Sequence, residues 1–117
     1  MTDDQAERLI AAVRTYLTEG VPQGSVDTAV AAIRALAPWV PAPSVHADPD
    51  DDDGAAAMLW FHDGDRVDAY FYQDGEMVWV GKIGGEHVGD NLPCDGGVPA
   101  AFVASLRRLF RVPAETA

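Results

Sequence analysis

Apolar positions in the first forty residues recur at helical spacing. Between Thr2 and about Glu19 they are Ala6, Leu9, Ile10, Val13, Tyr16 and Leu17, one stripe of an amphipathic helix. Thr2 is placed to cap it and Gly20 to stop it. Asp3, Asp4 and Glu7 occupy the first turns, where the positive end of the helix dipole favours carboxylates. A second stripe, Val26, Ala29, Val30, Ile33, Leu36 and Ala37, predicts a helix capped by Ser25 and ended by Pro38. Joined by GVPQG, the two predict an N-terminal helical hairpin.

The segment 38–54 combines prolines with an acidic run, so it reads as an extended connector within a single domain spanning 1–117. Trp39 and Val40 would tack its start to the core. Period-two alternation then takes over. Asp63-Gly64 and Asp74-Gly75 each sit between runs of β-favouring residues, which predicts a three-stranded antiparallel meander over 56–62, 66–72 and 76–83, with Gly84-Gly85 as its terminator. Two-residue turns at both places would set Trp60 opposite Val67, Met58 opposite Ala69, Phe71 opposite Val78 and Ala69 opposite Val80. The other face would then carry Leu59, Phe61, Arg66, Asp68, Tyr70, Tyr72, Met77 and Trp79, with Tyr70 across from Trp79. A one-residue slip would exchange the faces of a strand. After a Gly-rich loop over 84–97, Pro99 opens a last helix with Phe102, Val103, Leu106, Leu109 and Phe110 on its apolar side and Arg107, Arg108 and Arg111 at its end. The expected class is α+β, with the C-terminal helix packed on the sheet.

Composition narrows the partners. The chain has 117 residues, 48% of them hydrophobic, and a chain of this length buries roughly 65% of its unfolded surface, enough for a core without disulfides. Its formal charge is -11, from 19 acids against 8 bases. That sign argues against binding nucleic acid through phosphates and against anionic membranes, because both rely on Lys and Arg and Lys82 is the one lysine. The start MTDDQAERLI has no basic leader, and the single Cys94 cannot close an internal disulfide, so a cytoplasmic protein is expected.

Candidate chemistry is sparse. DPDDDDG resembles the opening of a calcium loop, but counting from Asp48 puts Asp53 where the glycine belongs and Leu59 where the closing Glu belongs. A solvated linker is the plainer reading, with weak divalent association by the acid run as the alternative. His46, His62 and His87 are too far apart for a local zinc signature. His62 beside Asp63 and Asp65, or Glu86 beside His87, would need folding to make an acid/base pair. Exposed turn histidines are the simpler expectation. The glycines of VGKIGGEHVGD lack the Gly-Lys-Ser/Thr of a phosphate loop, and Ser25 is more simply a cap than a nucleophile. The arginines at 107, 108 and 111 complement the dipole of their own helix. No cofactor, metal site or catalytic residue is predicted.

Two features remain. Residues 1–47 carry a net charge of -2, residues 48–97 carry -11 and residues 98–117 carry +2. The excess belongs to the middle, above all to Asp50, Asp51, Asp52 and Asp53. Beside it stands the expected aromatic face, Phe61, Tyr70, Tyr72 and Trp79 among Arg66 and Asp68; Tyr, Trp and Arg are the types most enriched at interface hot spots. If a helix covers that face instead, these residues are core. Together the two features predict a non-enzymatic module that steers a basic protein partner with its carboxylates and holds it with its aromatics. In size, acidity and build the chain resembles small antitoxin, toxin-immunity and anti-defence proteins, and that general resemblance implies inhibition by occlusion. The competing expectations are a non-catalytic structural or homodimeric domain of a salt-adapted or high-GC organism, and, further off, a small enzyme.

Overall fold

The computed structural model describes residues 1–49, 54–94 and 98–111. Helix α1 runs over Asp3–Arg14 and passes into a 3₁₀ turn, Thr15–Glu19, that ends at Gly20 with a φ of +93°. Thr2 caps it as expected, and reciprocally: Gln5 N donates to Thr2 Oγ1 at 3.1 Å while Thr2 N donates to Gln5 Oε1 at 2.8 Å. Helix α2 covers Gln23–Leu36. It begins before Ser25, so that side chain is freed from capping. Ser25 is fully buried instead, and its hydroxyl donates to Gly54 O at 2.9 Å.

Five strands form one antiparallel sheet in chain order: β1 Ser44–Asp48, β2 Ala55–His62, β3 Asp65–Phe71, β4 Glu76–Ile83 and β5 Glu86–Pro93. Helix α3, Ala100–Leu109, follows with Pro99 as its N-cap. The class is α+β, with three α-helices and five strands among the described residues. Two expected loops are therefore strands. Part of the supposed connector, Ser44–Asp48, pairs along β2. The segment after Ile83 turns at Gly84-Gly85, with φ values of +59° and +83°, and returns along β4 as β5. That dipeptide reverses the chain in the tight, strand-twisting manner of Asp63-Gly64, with φ values of +49° and +84°.

The first hairpin has the expected register, Trp60 opposite Val67 and Met58 opposite Ala69. The second is displaced by one residue: Phe71 lies opposite Met77, Ala69 opposite Trp79 and Tyr70 opposite Val78. The cause is the turn. Gly75 N donates to Tyr72 O and Tyr72 N donates to Glu76 O, so Gln73, Asp74 and Gly75 make a three-residue loop whose last member has a φ of +85°. Asp74 Oδ1 accepts from Glu76 N at 2.9 Å and holds it.

That extra residue moves Met77 and Trp79 to the face that bears Met58, Trp60, Val67, Ala69 and Phe71, and the three helices cover this face. Phe102 of α3 is the wedge between the layers. Its ring centroid is 5.8 Å from that of Trp60 and 5.6 Å from that of Trp79, in tilted contacts worth about 0.5–1.5 kcal/mol each beyond area burial. Trp79 is 2% exposed. The aromatic face expected from sequence is thus divided: Trp79 is core, while Phe61, Asp68, Tyr70 and Tyr72 share the opposite face. The Trp79 Nε1 donor is buried without a hydrogen-bond partner among the described residues.

Two stability predictions follow from this packing. Trp79→Ala should cost about 3–5 kcal/mol in denaturant unfolding, the loss expected for emptying a large aromatic site. Trp79→Phe should cost less than about 1.5 kcal/mol, because it keeps a ring against Phe102 and removes an unsatisfied N–H. Burial, with the Glu19 charge adding to it, raises the Tyr16 hydroxyl above its ordinary value of 10.0. With the folded-state value raised, the stability that Tyr16 contributes is full below its ordinary value of 10.0 and is lost as pH rises from there through the folded value. Tyr16→Phe should therefore flatten the fall in melting temperature measured above pH 10.

Candidate functional site

The sheet has two ends, and they differ in charge. At one, the β2–β3 and β4–β5 turns meet the C-terminal end of α3. Arg108 Nη2 is 3.2 Å from Glu86 Oε2, and Arg111 Nη2 is 4.0 Å from Asp63 Oδ2. His62 Nε2 lies 3.4 Å from the same Asp63 oxygen, with its ring 5.3 Å from that of Phe110. Asp65 Oδ1 accepts from Gly84 N at 3.2 Å. The carboxylates of this arginine end have partners. Each exposed pair adds little stability, but together they cancel charge. Arg107 of the same helix stacks over Trp39, 5.7 Å from its ring centre, and Trp39 is 47% exposed where a core anchor was expected.

The opposite, acidic end is built by the β3–β4 turn, the end of β5 and the start of α2. Gly24 is what allows the helix to sit there: a Cβ on it would stand 2.5 Å from Gln73 O, so helix and turn meet backbone to backbone. Thr28 Oγ1 donates to Gly24 O at 2.8 Å and to Tyr72 O at 3.2 Å, and Cys94 N donates to Gly75 O at 2.8 Å. Asp27, Asp48, Asp74 and Glu76 gather here. No Arg or Lys occurs in the β3–β4 turn, in residues 23–30 of α2 or in residues 89–94. Asp50, Asp51, Asp52 and Asp53 lie outside the described residues. Pro49 and Gly54, on either side of them, lie close to the Gly20–Pro22 link between the helices: a Cβ on Gly20 would stand 3.5 Å from Pro49 Cβ, and one on Gly54 would stand 2.7 Å from Pro22 Cδ.

A cleft of about 260 Å³ opens at this end between α2 and the β3–β4 turn, lined by Asp27, Thr28, Ala31, Ala32, Gly75, Cys94 and Val98. Its wall is mainly apolar, with Asp27 supplying a carboxylate. Asp27 Oδ1 accepts from Gln23 Nε2 at 2.8 Å. Sequence reasoning passed over this place because Asp27 lies on a helix, Gly75 in a turn and Val98 after the last strand; contact between α2 and the turn brings them together.

The face of the sheet on which no described helix packs is a second surface. Register places on it four rows, running from the arginine end to the acidic end: Phe61, Arg66, Lys82 and His87; then Ser44, Leu59, Asp68, Val80 and Gly89; then His46, Ala57, Tyr70, Val78 and Asn91; then Asp48, Ala55, Tyr72, Glu76 and Pro93. Arg66 clasps Asp68 through two 2.7 Å hydrogen bonds and lies over the Phe61 ring, 5.4 Å from its centre. The Asp68 hydrogen bond, then its charge, holds the Arg66 guanidinium still more firmly protonated. Phe61 is 60% exposed and Val80 50% exposed, whereas Tyr70 and Tyr72 are half-buried. A shallow depression of about 270 Å³ lies among Arg66, Asp68, Val80, Gly81, Lys82 and His87.

The residue pairs weighed for acid/base work lie at turns and at the edge of a shallow depression among the described residues. His62, Asp63 and Asp65 stand at one hairpin turn and Glu86 at another, while His87 edges the shallow depression. Among the described residues, no three His, Cys, Asp or Glu side chains come together as metal ligands would, and no helix is long and apolar enough to cross a membrane. No protein-family profile, curated protein or solved structure matches the chain.

Proposed function

We propose that this chain is a small non-catalytic binding module whose acidic end captures a basic protein, neutralising a cationic surface by occupying it. An inhibitor of the antitoxin, immunity or anti-defence type acts in this way. One observation carries the reading: among the described residues, arginines stand beside Asp63 and Glu86 at one end of the sheet, and no ion pair joins Asp27, Asp74 or Glu76 to an Arg or Lys at the other. A surface whose acids served only to solvate the protein would have no reason to segregate them. Unopposed carboxylates at a single end create a sided negative field, which orients and accelerates the approach of a cationic partner. Pro49 and Gly54, which flank residues 50–53 in the sequence, lie at that same end. The apolar cleft beside it offers a side chain of the partner a place to bury its hydrocarbon.

The test compares the two ends. A basic protein retained from the native host at about 50 mM salt should be lost by about 200 mM, within which range the Debye length falls well below the span of the surface. Capture should be lost from Asp27→Asn/Asp74→Asn and from Asp50–Asp53→Asn, and should persist in the arginine-end control Asp63→Asn/Glu86→Gln. Equal capture by all four proteins, or no basic protein retained by the unaltered chain, would overturn the proposal.

A further inference from the structure

We propose that the uncovered face of the sheet binds a second copy of this chain, face to face, with the strands of the two copies running in opposite directions. No described element packs on this face, although it exposes Phe61 and Val80 and carries Leu59 and Val78 between them and the sheet's far end. In a chain of charge -11 most surfaces of two copies repel each other. This face is less repulsive. Its described charged side chains, as register places them, are Arg66, Lys82 and Asp68 toward the arginine end and Asp48 and Glu76 toward the acidic end. The face is close to neutral, and it is polarised along the strands.

That polarity selects one arrangement. A two-fold axis lying in the interface and perpendicular to the strands sets the first row of one copy against the fourth row of the other, and the second row against the third. Lys82 of each copy then meets Glu76 of the other, and the valine at 80 packs over the valine at 78 between these pairs. The alternative axis, parallel to the strands, would bring the two acidic ends together. Paired sheets of this kind pack aligned, with inner faces interdigitating. Five strands at about 4.8 Å spacing and eight residues at about 3.3 Å give a footprint of roughly 600 Å² per copy. Two copies bury about twice that, above the ~1,000 Å² that separates specific interfaces from casual contacts. The arrangement is independent of the basic-partner reading and leaves the cleft beside α2 accessible in each copy.

Sedimentation equilibrium of the full chain decides it. The unaltered protein should be a dimer of about twice its 12.5 kDa mass at micromolar concentration. Val80→Glu should raise the dissociation constant at least about tenfold, as loss of a central apolar contact does. Phe61→Ser provides the same test at a more exposed site should Val80→Glu unfold. Lys82→Glu and Glu76→Lys should each weaken the dimer, and the double variant Lys82→Glu/Glu76→Lys should restore it. The two residues lie at opposite ends of β4, so only contact between copies can produce that rescue. A monomer at about 100 µM, a dimer indifferent to Val80→Glu, or a double variant no better than either single variant would overturn the proposal.

Discussion

The fold depends on the contact of Phe102 with Trp60 and Trp79. The two indoles come from strands separated by β3, and they meet one helical ring only because both project from the same face of the sheet. For β4 that parity is set by the Gln73-Asp74-Gly75 loop, whose third residue turns the outward set of the strand inward. With two residues in the loop, Trp79 would face away from α3 and Val78 and Val80 would face the helices. The core would lose its largest side chain from β4, and the outer face would gain an indole.

The same loop does a second job. It carries Asp74, which braces the turn through Glu76 N, and it receives the start of α2 at Gly24 and Thr28. Because the helix docks on the turn by backbone contact, Asp27 is delivered to the side of the molecule that already holds Asp74 and Glu76. Meanwhile the chain's last helix runs the other way and leaves Arg108 and Arg111 beside Glu86 and Asp63. Charge sidedness is therefore a product of how helix directions meet sheet ends. The C-terminal helix cancels one end because its arginines also suit its own dipole.

A two-layer arrangement with all helices on one side leaves the second face of the sheet to be solvated or paired. Here the face is neither polar enough to be indifferent to water nor apolar enough to be core: a clasped Arg66 and Asp68 lies beside exposed Phe61 and Val80. The acidic end and the near-neutral face are thus chemically distinct surfaces, the first of which we propose for a cationic partner and the second for another copy of the chain.

Local pattern alone determined the three helices, the Thr2 cap, the first hairpin with its register, and the α+β class, because each rests on residues within a few positions of one another. The apolar stripes of Ile10, Val13, Val26, Ile33, Phe102 and Leu106 are legible at helical period, and Asp63-Gly64 declares its own turn type. The strands β1 and β5 were not legible. Ser44–Asp48 and Glu86–Pro93 are half polar edge strands, whose place comes from hydrogen bonding to β2 and β4 rather than from burial of their own side chains. The fate of Trp79, the gathering of Asp27 with Asp74 and Glu76, and the neutrality of the outer face were decided only in three dimensions. One residue of turn length inverts the faces of a strand at almost no local cost, and which version survives is settled by whether the inward set can be packed beneath the helices.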